Sequence, residues 1–328
     1  MAQHELGTIV IYSGGFLEAH HVKAIRDAAP DAEVIEIASI EEWRAQRAVL
    51  APRLEVALGL PHTEIADLNL FPRLRWLQQT FAGVDWLENR PDVAQSDIVL
   101  TNASGVAAIT IAEHILTLMF SLARSVYRFA DAQRDHAWHG RVRMNELDGS
   151  TVGIVGLGAI GEKMAEKGRG LNMRVIGLRR DPTKGSKYVD RMLGPDGLSE
   201  LLASSDWVVM TTALTPETRG LIGESELGQM QDTAHLINIA RGELVQEDYL
   251  IRALQEGRIA GAGLDVFERE PLPADSPLWD MPNVVITSHH SGSSPYYADR
   301  TTTLIVDNLQ RYTAGQPLIN VIDKALGY

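Results

Sequence analysis

The chain contains no cysteine among its 328 residues, which excludes disulfide bonds, thiolate metal sites and cysteine nucleophiles. It also lacks an excess of basic residues, because 30 Lys and Arg stand against 43 Asp and Glu, for a formal net charge of -13. Nucleic acids and anionic membranes attract positive patches, so we expect neither as a partner. The sequence has no apolar run of about 18 residues that could cross a bilayer, and Met1–Glu5 do not begin a secretory signal. We therefore expect a cytoplasmic protein.

What is present is an ordinary globular composition, with 45% hydrophobic and 22% charged residues. The length suits two domains of roughly 100–200 residues each. Strand-like and helix-like segments alternate throughout, which predicts an α/β protein with two Rossmann-like or flavodoxin-like domains, each a doubly wound parallel sheet. We predict one domain at 104–291 and a discontinuous one at 1–103 plus 292–328, with a cleft between them that holds a substrate.

The predicted elements follow the apolar runs of the sequence. A long apolar helix is predicted over 107–125, with Glu113, His114 and Arg124 as its polar interruptions, and we interpret it as a connector or a subunit contact. An amphipathic helix over 295–314 would return to the first domain. The first domain has strand-like runs at 8–12, 33–37, 56–58, 74–78 and 98–100. The second domain has at least six strand-like runs, at 151–155, 173–178, 207–210, 235–239, 263–266 and 284–287, and a helix is predicted before each of the last four.

A glycine-rich loop in residues 151–161 (TVGIVGLGAIG) is the most informative motif of the chain. An apolar strand leads into Gly156, Gly158 and Gly161, and a helix follows over about 160–171. In this order the three glycines allow a tight turn, close approach of the backbone to a pyrophosphate and tight packing of helix on strand. The positive end of the helix would face the phosphates. The motif therefore predicts a dinucleotide-binding domain at 104–291.

The second strand of that domain indicates which dinucleotide binds. An NAD site carries an acidic residue at this strand end, about 20 residues beyond the glycines, to hold the ribose 2′-hydroxyl. This chain has Arg179 and Arg180 there, followed by Asp181, Lys184 and Lys187. A guanidinium can bind a 2′-phosphate through two parallel hydrogen bonds, which favours NADP(H). The alternative is that the arginines are solvated and Asp181 binds the ribose of NAD(H).

Three polar residues follow late strands of the same domain, where open α/β sheets build their sites. His289 could exchange a proton with a reacting carbonyl, since histidine ordinarily titrates near pH 6.5. Glu270 would orient the ring, and Arg241 would bind a carboxylate beside the carbonyl. Together they predict a 2-oxo-acid reductase. Taken singly, each has a structural explanation, and His290 competes with His289 for the acid–base role.

Motifs across nearly the whole chain resemble those of the D-isomer-specific 2-hydroxyacid dehydrogenases. The resemblance implies that Arg241 binds substrate, that Glu270 pairs with His289, and that His289 rather than His290 is the acid–base. It also implies a homodimer with the connector helix at the interface. The motifs that carry it are the glycine loop at 151–161, LTPETR at 214–219, NIARGELV at 238–245, GLDVFEREPL at 263–272, SPLW at 276–279 and TSH at 287–289.

The resemblance implies further binding residues, and no metal. The backbone amides of Ala82, Gly83 and Val84 would hold the substrate carboxylate, together with Arg241 and His289. Asp265 would contact the nicotinamide carboxamide. The predicted cofactor-binding residues are Gly156, Gly158, Ala159, Ile160, Gly161, Arg179, Arg180, Leu214, Pro216, Thr218, Ile239, Ala240, Asp265 and Gly292.

Two departures from the family pattern narrow the prediction. Ser288 replaces the usual proline before the histidine, and Arg179 with Arg180 replaces the acidic NAD determinant. The second makes the chain most similar to NADPH-preferring glyoxylate and hydroxypyruvate reductases, with NAD(H) as the alternative cofactor. Glu270 argues against formate oxidation, and we expect no regulatory domain beyond Tyr328. Two other functions stay open, a non-catalytic dinucleotide sensor resembling a corepressor and phosphite oxidation.

Overall fold

The computed structural model describes residues 7–138, 140–142 and 144–328. Met1–Glu5, where the sequence shows no secretory signal, lie outside the described residues. The chain divides into two compact units, Met1–Val106 with Ser294–Tyr328, and Ala107–Ser293. The boundaries expected from the sequence lie three residues before the first division and two residues before the second.

Strands and helices alternate along the described residues. The helices are α1 (Ala19–Ala28), α2 (Ile40–Leu50), α3 (Pro91–Ala94), α4 (Ala108–Ala123), α5 (Val126–Arg134), α6 (Ala159–Gly170), α7 (Leu198–Ser204), α8 (Glu224–Gln229), α9 (Glu247–Gln255) and α10 (Tyr297–Thr313). The strands are β1 (Thr8–Tyr12), β2 (Glu33–Ile37), β3 (Leu54–Leu58), β4 (Trp76–Gln78), β5 (Val99–Thr101), β6 (Thr151–Val155), β7 (Arg174–Leu178), β8 (Arg191–Leu193), β9 (Trp207–Met210), β10 (His235–Asn238), β11 (Gly261–Leu264) and β12 (Val284–Ile286).

The first unit is built on a five-stranded parallel sheet of order β2-β1-β3-β4-β5, the flavodoxin-like order. Its central strands are apolar on both faces, as a sheet covered by helices on both sides requires. Trp43 and Leu77 belong to the apolar cluster on one face, whereas Trp76 and Ile305 belong to the other. Helix α10 therefore completes the core of a unit that begins nearly 300 residues earlier.

The second unit carries a seven-stranded parallel sheet of order β12-β11-β10-β9-β6-β7-β8. The chain order reverses between β6 and β9, and open α/β sheets bind ligands at this kind of switch point. Helix α4 packs on this sheet through Ile115, Leu118 and Met119, which are buried in one of the unit's two apolar clusters. The two sheets confirm the predicted α/β class.

Three details of the second unit differ from the sequence prediction. A seventh strand, β8, was missed because it is a three-residue edge strand that begins with an exposed Arg191. Among the described residues no α-helix lies between β11 and β12, and a single 3-10 turn at Pro277–Asp280 stands there instead. The apolar helix ends at Ala123, and Ser125, with a φ of 52°, separates it from a second helix, α5.

In the described part of the chain, no single helix has both the length and the apolarity needed to cross a membrane. Helices α4 and α5 meet that criterion only when they are counted together, across a bend of 70°.

Candidate active site

The glycine loop lies between β6 and α6, at the switch point of the second sheet. Gly156 has a φ of 101°, and a Cβ there would lie 2.6 Å from the Thr212 backbone, so no other residue fits without strain. A Cβ on Gly161 would collide with the Gly156 carbonyl oxygen, which also accepts a hydrogen bond of 2.5 Å from the Thr211 hydroxyl. A Cβ on Gly158, by contrast, would meet nothing within 4 Å.

This open space at Gly158 fits a pyrophosphate. Gly158 is the N-cap of α6, so the amides of Ala159, Ile160 and Gly161 belong to the first helical turn. Amides of a first turn have no partner within their own helix and carry the positive end of its dipole. Two glycines are thus required by the fold itself, whereas Gly158 leaves room on the face where a dinucleotide's phosphates would approach.

The end of β7 carries the predicted 2′-phosphate determinants. The Arg179 guanidinium lies 3.6 Å from the Glu162 carboxylate and 3.4 Å from the Gly185 carbonyl oxygen, which are long contacts. Arg180 forms a 2.7 Å ion pair with Glu217. The Asp181 carboxylate accepts hydrogen bonds from the amide and hydroxyl of Thr183, and these bonds lower its pKa below the ordinary value. Asp181 therefore caps its own loop.

The loop after β9 contains Leu214, Pro216 and Thr218. Leu214 is buried in the apolar core of the unit, and Pro216 is exposed. The Thr218 hydroxyl donates 2.7 Å to the Ala213 carbonyl oxygen and accepts from the Thr215 amide at 2.8 Å. Thr218 thus fixes the turn that would border the cofactor.

The end of β10 presents Ile239, Ala240 and Arg241. Asn238 holds this turn, because its side chain accepts from the Ala240 amide at 3.1 Å and donates to the Arg241 carbonyl at 2.8 Å. The Arg241 guanidinium is half-buried and donates to the Ala240 carbonyl oxygen at 2.7 Å. Gly242 follows because any Cβ there would overlap the backbone of Phe267. The glycine after Arg241 is therefore required by the close contact between the turns that follow β10 and β11.

His289 and Glu270 form the central pair of the site. The His289 Nδ1 lies 2.7 Å from a Glu270 carboxylate oxygen, and the second oxygen accepts from the Phe267 amide at 3.1 Å. A carboxylate only accepts hydrogen bonds, so Nδ1 carries the proton and Nε2 is the nitrogen that can exchange one. The side chains are 49% and 36% exposed, which leaves this pair open to a substrate.

Asp265 lies behind that pair and is fully buried. Its carboxylate accepts from the Thr287 hydroxyl at 2.6 Å and from the amides of His290 and Ser291 at 3.0 Å each. Burial alone would raise the pKa of Asp265, but these hydrogen bonds outweigh it and hold the pKa below the ordinary value. Both oxygens therefore face protein donors, and the predicted contact with a nicotinamide stays a prediction.

The four remaining predicted residues lie in two other segments of the chain. A Cβ on Gly292 would lie 3.7 Å from that of Ala107, at the end of the His289 loop. Ala82, Gly83 and Val84 belong to the first unit, in the loop after β4 that leads into a 3-10 turn at Asp85–Asn89. The Ala82 carbonyl accepts 2.6 Å from the Asn102 side chain, which fixes this loop within its unit.

Sequence reasoning missed three residues that shape the site, namely Asn238, Thr287 and His114. Asn238 and Thr287 stand at strand ends, a signal that was used only for charged residues. His114 is the seventh residue of the apolar helix α4, and its Nε2 is 2.9 Å from the Thr287 hydroxyl oxygen. The available signal was a histidine among the apolar residues of a long helix, which the sequence pattern marks only as a polar interruption.

These features define the class of the protein. A glycine loop at the switch point of a seven-stranded sheet, combined with a carboxylate-bound histidine at neighbouring strand ends, is the arrangement of a dinucleotide-dependent oxidoreductase.

Comparison with known proteins narrows the class to a family. Residues 116–291 match the model for the D-isomer specific 2-hydroxyacid dehydrogenase, NAD binding domain. The chain is 32% identical over 313 residues to the glyoxylate reductase of Korarchaeum cryptofilum (strain OPF8), an alignment that covers 91% of this chain and 88% of that protein. The chain therefore belongs to the D-isomer specific 2-hydroxyacid dehydrogenase family, and it is an NAD(P)-dependent enzyme that acts on 2-oxo and 2-hydroxy acids.

Two crystal structures resemble it over almost its full length. A D-isomer specific 2-hydroxyacid dehydrogenase from Xanthobacter autotrophicus Py2, in complex with NADPH and MES, has a TM-score of 0.82 and 33% identity, covering 98% of this chain and 99% of that chain. The NADPH-dependent glyoxylate/hydroxypyruvate reductase from Sinorhizobium meliloti, in complex with NADP and sulfate, has a TM-score of 0.80 and 27% identity at the same coverage.

Proposed function

We propose that this enzyme reduces a small 2-oxo acid, such as glyoxylate or hydroxypyruvate, to the 2-hydroxy acid, with the D configuration where the product is chiral, and that it prefers NADPH to NADH. The observation that carries the proposal is the His289–Glu270 pair, which lies with Arg241 in the turns that follow the late strands of a dinucleotide-binding sheet. The relatives named glyoxylate reductase and glyoxylate/hydroxypyruvate reductase support the substrate class.

The proposed chemistry assigns one task to each residue. NADPH, when bound, supplies the hydride. The Nε2 of His289 gives its proton to the carbonyl oxygen of the substrate, and Glu270 keeps the ring in the required tautomer. The guanidinium of Arg241 binds the substrate carboxylate and polarises the carbonyl. Binding of the carboxylate by Ala82, Gly83 and Val84 stays a prediction.

The reaction is tested by initial rates of NADPH and NADH oxidation with glyoxylate, hydroxypyruvate, pyruvate and phenylpyruvate. We expect turnover with at least one of these acids and faster turnover with NADPH. A protein that binds NADPH but oxidises it with none of them would favour the non-catalytic sensor. Reduction of NADP⁺ by phosphite, with no turnover of 2-oxo acids, would instead favour phosphite oxidation.

The role of His289 is tested against its neighbour. His289→Ala should lower kcat by on the order of 100- to 10,000-fold, because it removes the proton donor. NADPH binding, followed by quenching of protein fluorescence, should persist. His290→Ala is the matched control, since the contact of His290 with Asp265 uses its backbone amide, which the variant keeps. Near-parental turnover in His289→Ala would overturn the assignment.

The NADPH preference is proposed from the loop that follows β7. Four basic residues lie in segment 179–187 of this loop, and the one acidic residue of that segment, Asp181, already caps the turn. A 2′-phosphate would replace the long contacts of Arg179 with short charge-assisted hydrogen bonds. The loop therefore favours a phosphate over a ribose hydroxyl. The NADPH and NADP complexes of the two solved relatives support this preference.

Substitution of Arg179 tests the preference directly. Arg179→Gln should raise the KM for NADPH by about 10-fold or more, because a charge-assisted hydrogen bond contributes roughly 1.5–3 kcal/mol. The KM for NADH should change by less than about two-fold, since NADH lacks the phosphate. The control is Arg174→Gln, an exposed arginine at the start of the same strand. Equal losses with both cofactors would contradict the proposal.

We also propose that the protein is a homodimer. Large apolar side chains on α4 and α5 are exposed, including Ile109, Phe120 and Val126. A second copy of the chain would cover them, as exposed apolar patches of this kind indicate an interface. Light scattering after size-exclusion chromatography should give twice the mass of 36.0 kDa, and a monomer would contradict this proposal.

A further inference from the structure

The backbone at His289 adopts a conformation that a residue with a Cβ rarely takes. Its φ is 55°, in the left-handed region. Such a conformation persists only where surrounding contacts determine it, and these positions concentrate at functional sites. In this turn the His289 amide donates 2.8 Å to the Asp265 carbonyl oxygen. The direction of the imidazole towards Glu270 therefore depends on what holds Asp265.

The Asp265 carboxylate holds the turn from inside the protein. One oxygen accepts from the His290 amide and the other from the Ser291 amide, so the carboxylate fixes the two residues that follow His289. Amides that converge on a buried acceptor lock a backbone that would otherwise relax. A rotation of this carboxylate would release both amides together.

Two further side chains prevent that rotation. The Thr287 hydroxyl donates to an Asp265 oxygen at 2.6 Å, and His114 Nε2 lies 2.9 Å from the same hydroxyl and 3.7 Å from the carboxylate. Thr287 has a single hydroxyl proton, and the carboxylate can only accept it. His114 must therefore donate through Nε2 to the Thr287 oxygen. This direction defines a chain of hydrogen bonds from helix α4 to the buried carboxylate.

We propose that His114 and Thr287 are positioning residues for proton transfer at His289, because together they fix the Asp265 carboxylate that sets the backbone of the His289 turn. The inference rests on the proposed function. His114 and Thr287 act through Asp265 and not on the substrate. Their loss should consequently lower kcat while leaving the affinity for cofactor and for the 2-oxo acid largely unchanged.

The first test compares two substitutions of Thr287. Thr287→Val keeps the shape and removes the hydroxyl, whereas Thr287→Ser keeps the hydroxyl and removes a methyl group. We expect kcat to fall about 10-fold in Thr287→Val, as expected for a small displacement of a reacting group. The KM for the 2-oxo acid and the Kd for NADPH should stay within about two-fold of the parent, because carboxylate and phosphate contacts are kept. Thr287→Ser should recover most of the parental kcat.

A threonine-to-valine substitution at Thr117 supplies the control. Thr117 lies on α4, one turn beyond His114, and its exposed hydroxyl donates only to the Glu113 carbonyl oxygen of its own helix. Thr117→Val should therefore keep the parental kcat. Equal losses in Thr287→Val and Thr287→Ser would indicate packing alone and overturn the proposal, as would an unchanged kcat in Thr287→Val.

The second test places His114 in the same chain of hydrogen bonds. His114→Leu removes the donor, and His114→Gln retains an N–H donor on a side chain of similar reach. We expect a loss of kcat in His114→Leu with partial recovery in His114→Gln. The double variant His114→Leu/Thr287→Val should lose no more than the more impaired single variant, because both act on one carboxylate. Multiplicative losses would contradict a shared role.

The outcomes separate this inference from the proposed function. If the parent enzyme turns over none of the 2-oxo acids, the proposed function fails and kcat cannot be compared. Binding of NADPH and the resistance of the 287–291 turn to hydrogen exchange can still be measured in each variant. Faster exchange of the His290 and Ser291 amides in Thr287→Val supports the positioning role, and unchanged exchange overturns it.

Discussion

Glu270 uses one carboxylate oxygen to hold His289 and the other to anchor itself to the Phe267 amide. The imidazole is consequently held in one tautomer before any substrate arrives, although both side chains remain partly exposed. Because exposed ion pairs contribute little to stability, we expect the pair to matter for catalysis rather than for folding.

Glu270→Gln tests whether Glu270 contributes to catalysis but not to the stability of the fold. The amide keeps the shape but loses the charge and no longer specifies which imidazole nitrogen carries the proton. We expect kcat/KM to fall by about 100- to 10,000-fold, because a misoriented or wrongly protonated imidazole loses most of its acid–base contribution. The thermal unfolding midpoint should change by no more than about 1 °C. Glu268→Gln, two residues earlier in the same loop, is the control and should keep parental turnover.

His235 is a buried histidine outside the site, and it makes stability depend on pH. Its ring stacks on Trp207 at 4.5 Å, and burial lowers the pKa of His235 to about 4. The unfolded chain binds a proton below about pH 6.5, whereas the folded chain resists it until about pH 4. Stability is therefore fully present above pH 6.5 and falls by up to about 3 kcal/mol as the pH drops to 4.

His235→Phe should remove this dependence, since phenylalanine keeps the stacked ring but does not titrate. The measurement is the urea unfolding midpoint of parent and variant between pH 7 and 4. The parent should lose more stability than the variant across that range. His136→Asn is the control, because His136 is exposed and asparagine tolerates its φ of 53°. Parallel curves for parent and His235→Phe would contradict the expectation.

In the glycine loop at 151–161, Gly156 and Gly161 are required by the fold, whereas Gly158 is not. A substitution of Gly158 can therefore affect cofactor binding without affecting folding. Gly158→Ala should fold with unchanged stability, because the new Cβ meets nothing within 4 Å. It should still weaken NADPH binding by about 10-fold or more, since the methyl group would occupy the approach to the pyrophosphate. Unfolding curves and fluorescence titration measure the two effects. Parental affinity would show that the pyrophosphate does not approach Gly158.

Between β10 and β11 the glycine requirement is purely structural. Gly242→Ala should destabilise the protein by about 3 kcal/mol or more, because the added Cβ overlaps the Phe267 backbone, which cannot move aside. Gly170→Ala is the matched control at the end of α6, where a Cβ meets nothing, and it should stabilise by about 0.5–1 kcal/mol. Comparable stability of the two variants in urea unfolding would contradict this.

Elements with strong apolar runs were predictable from the sequence, and contacts between elements were not. Strands β1, β2 and β9 begin and end where the sequence predicts, whereas β8 has three residues and little apolar signal. The His289–Glu270 pair follows from charged residues at strand ends. The hydrogen bonds of His114 and Thr287 join residues 173 positions apart. Local pattern carries no information about such a contact.

At the scale of the whole molecule, the apolar clusters of the described residues respect the division into two units. Two clusters contain only residues of Ala107–Ser293, and two contain only residues of the discontinuous unit. Each unit thus has its own core, which is the usual condition for independent folding.

The fragment Ala107–Ser293 should therefore fold and bind NADPH without the rest of the chain. We expect a cooperative thermal transition and an NADPH affinity within about 10-fold of the parent, because the glycine loop and Arg179 lie inside this fragment. A fragment that remains unfolded in the presence of NADPH would contradict the expectation.

The position of helix α10 in the chain also determines which unit can fold first during synthesis. On the ribosome, every residue of the nucleotide-binding unit is translated before Ile305 and Leu309. Until these two residues emerge, one face of the first sheet has no helix α10 to cover it. The nascent chain therefore carries an exposed apolar surface on its first sheet until α10 has been translated. A premature stop before Tyr297 would leave that surface permanently open, so we expect such products to be substrates for chaperones and proteases rather than partly active enzymes.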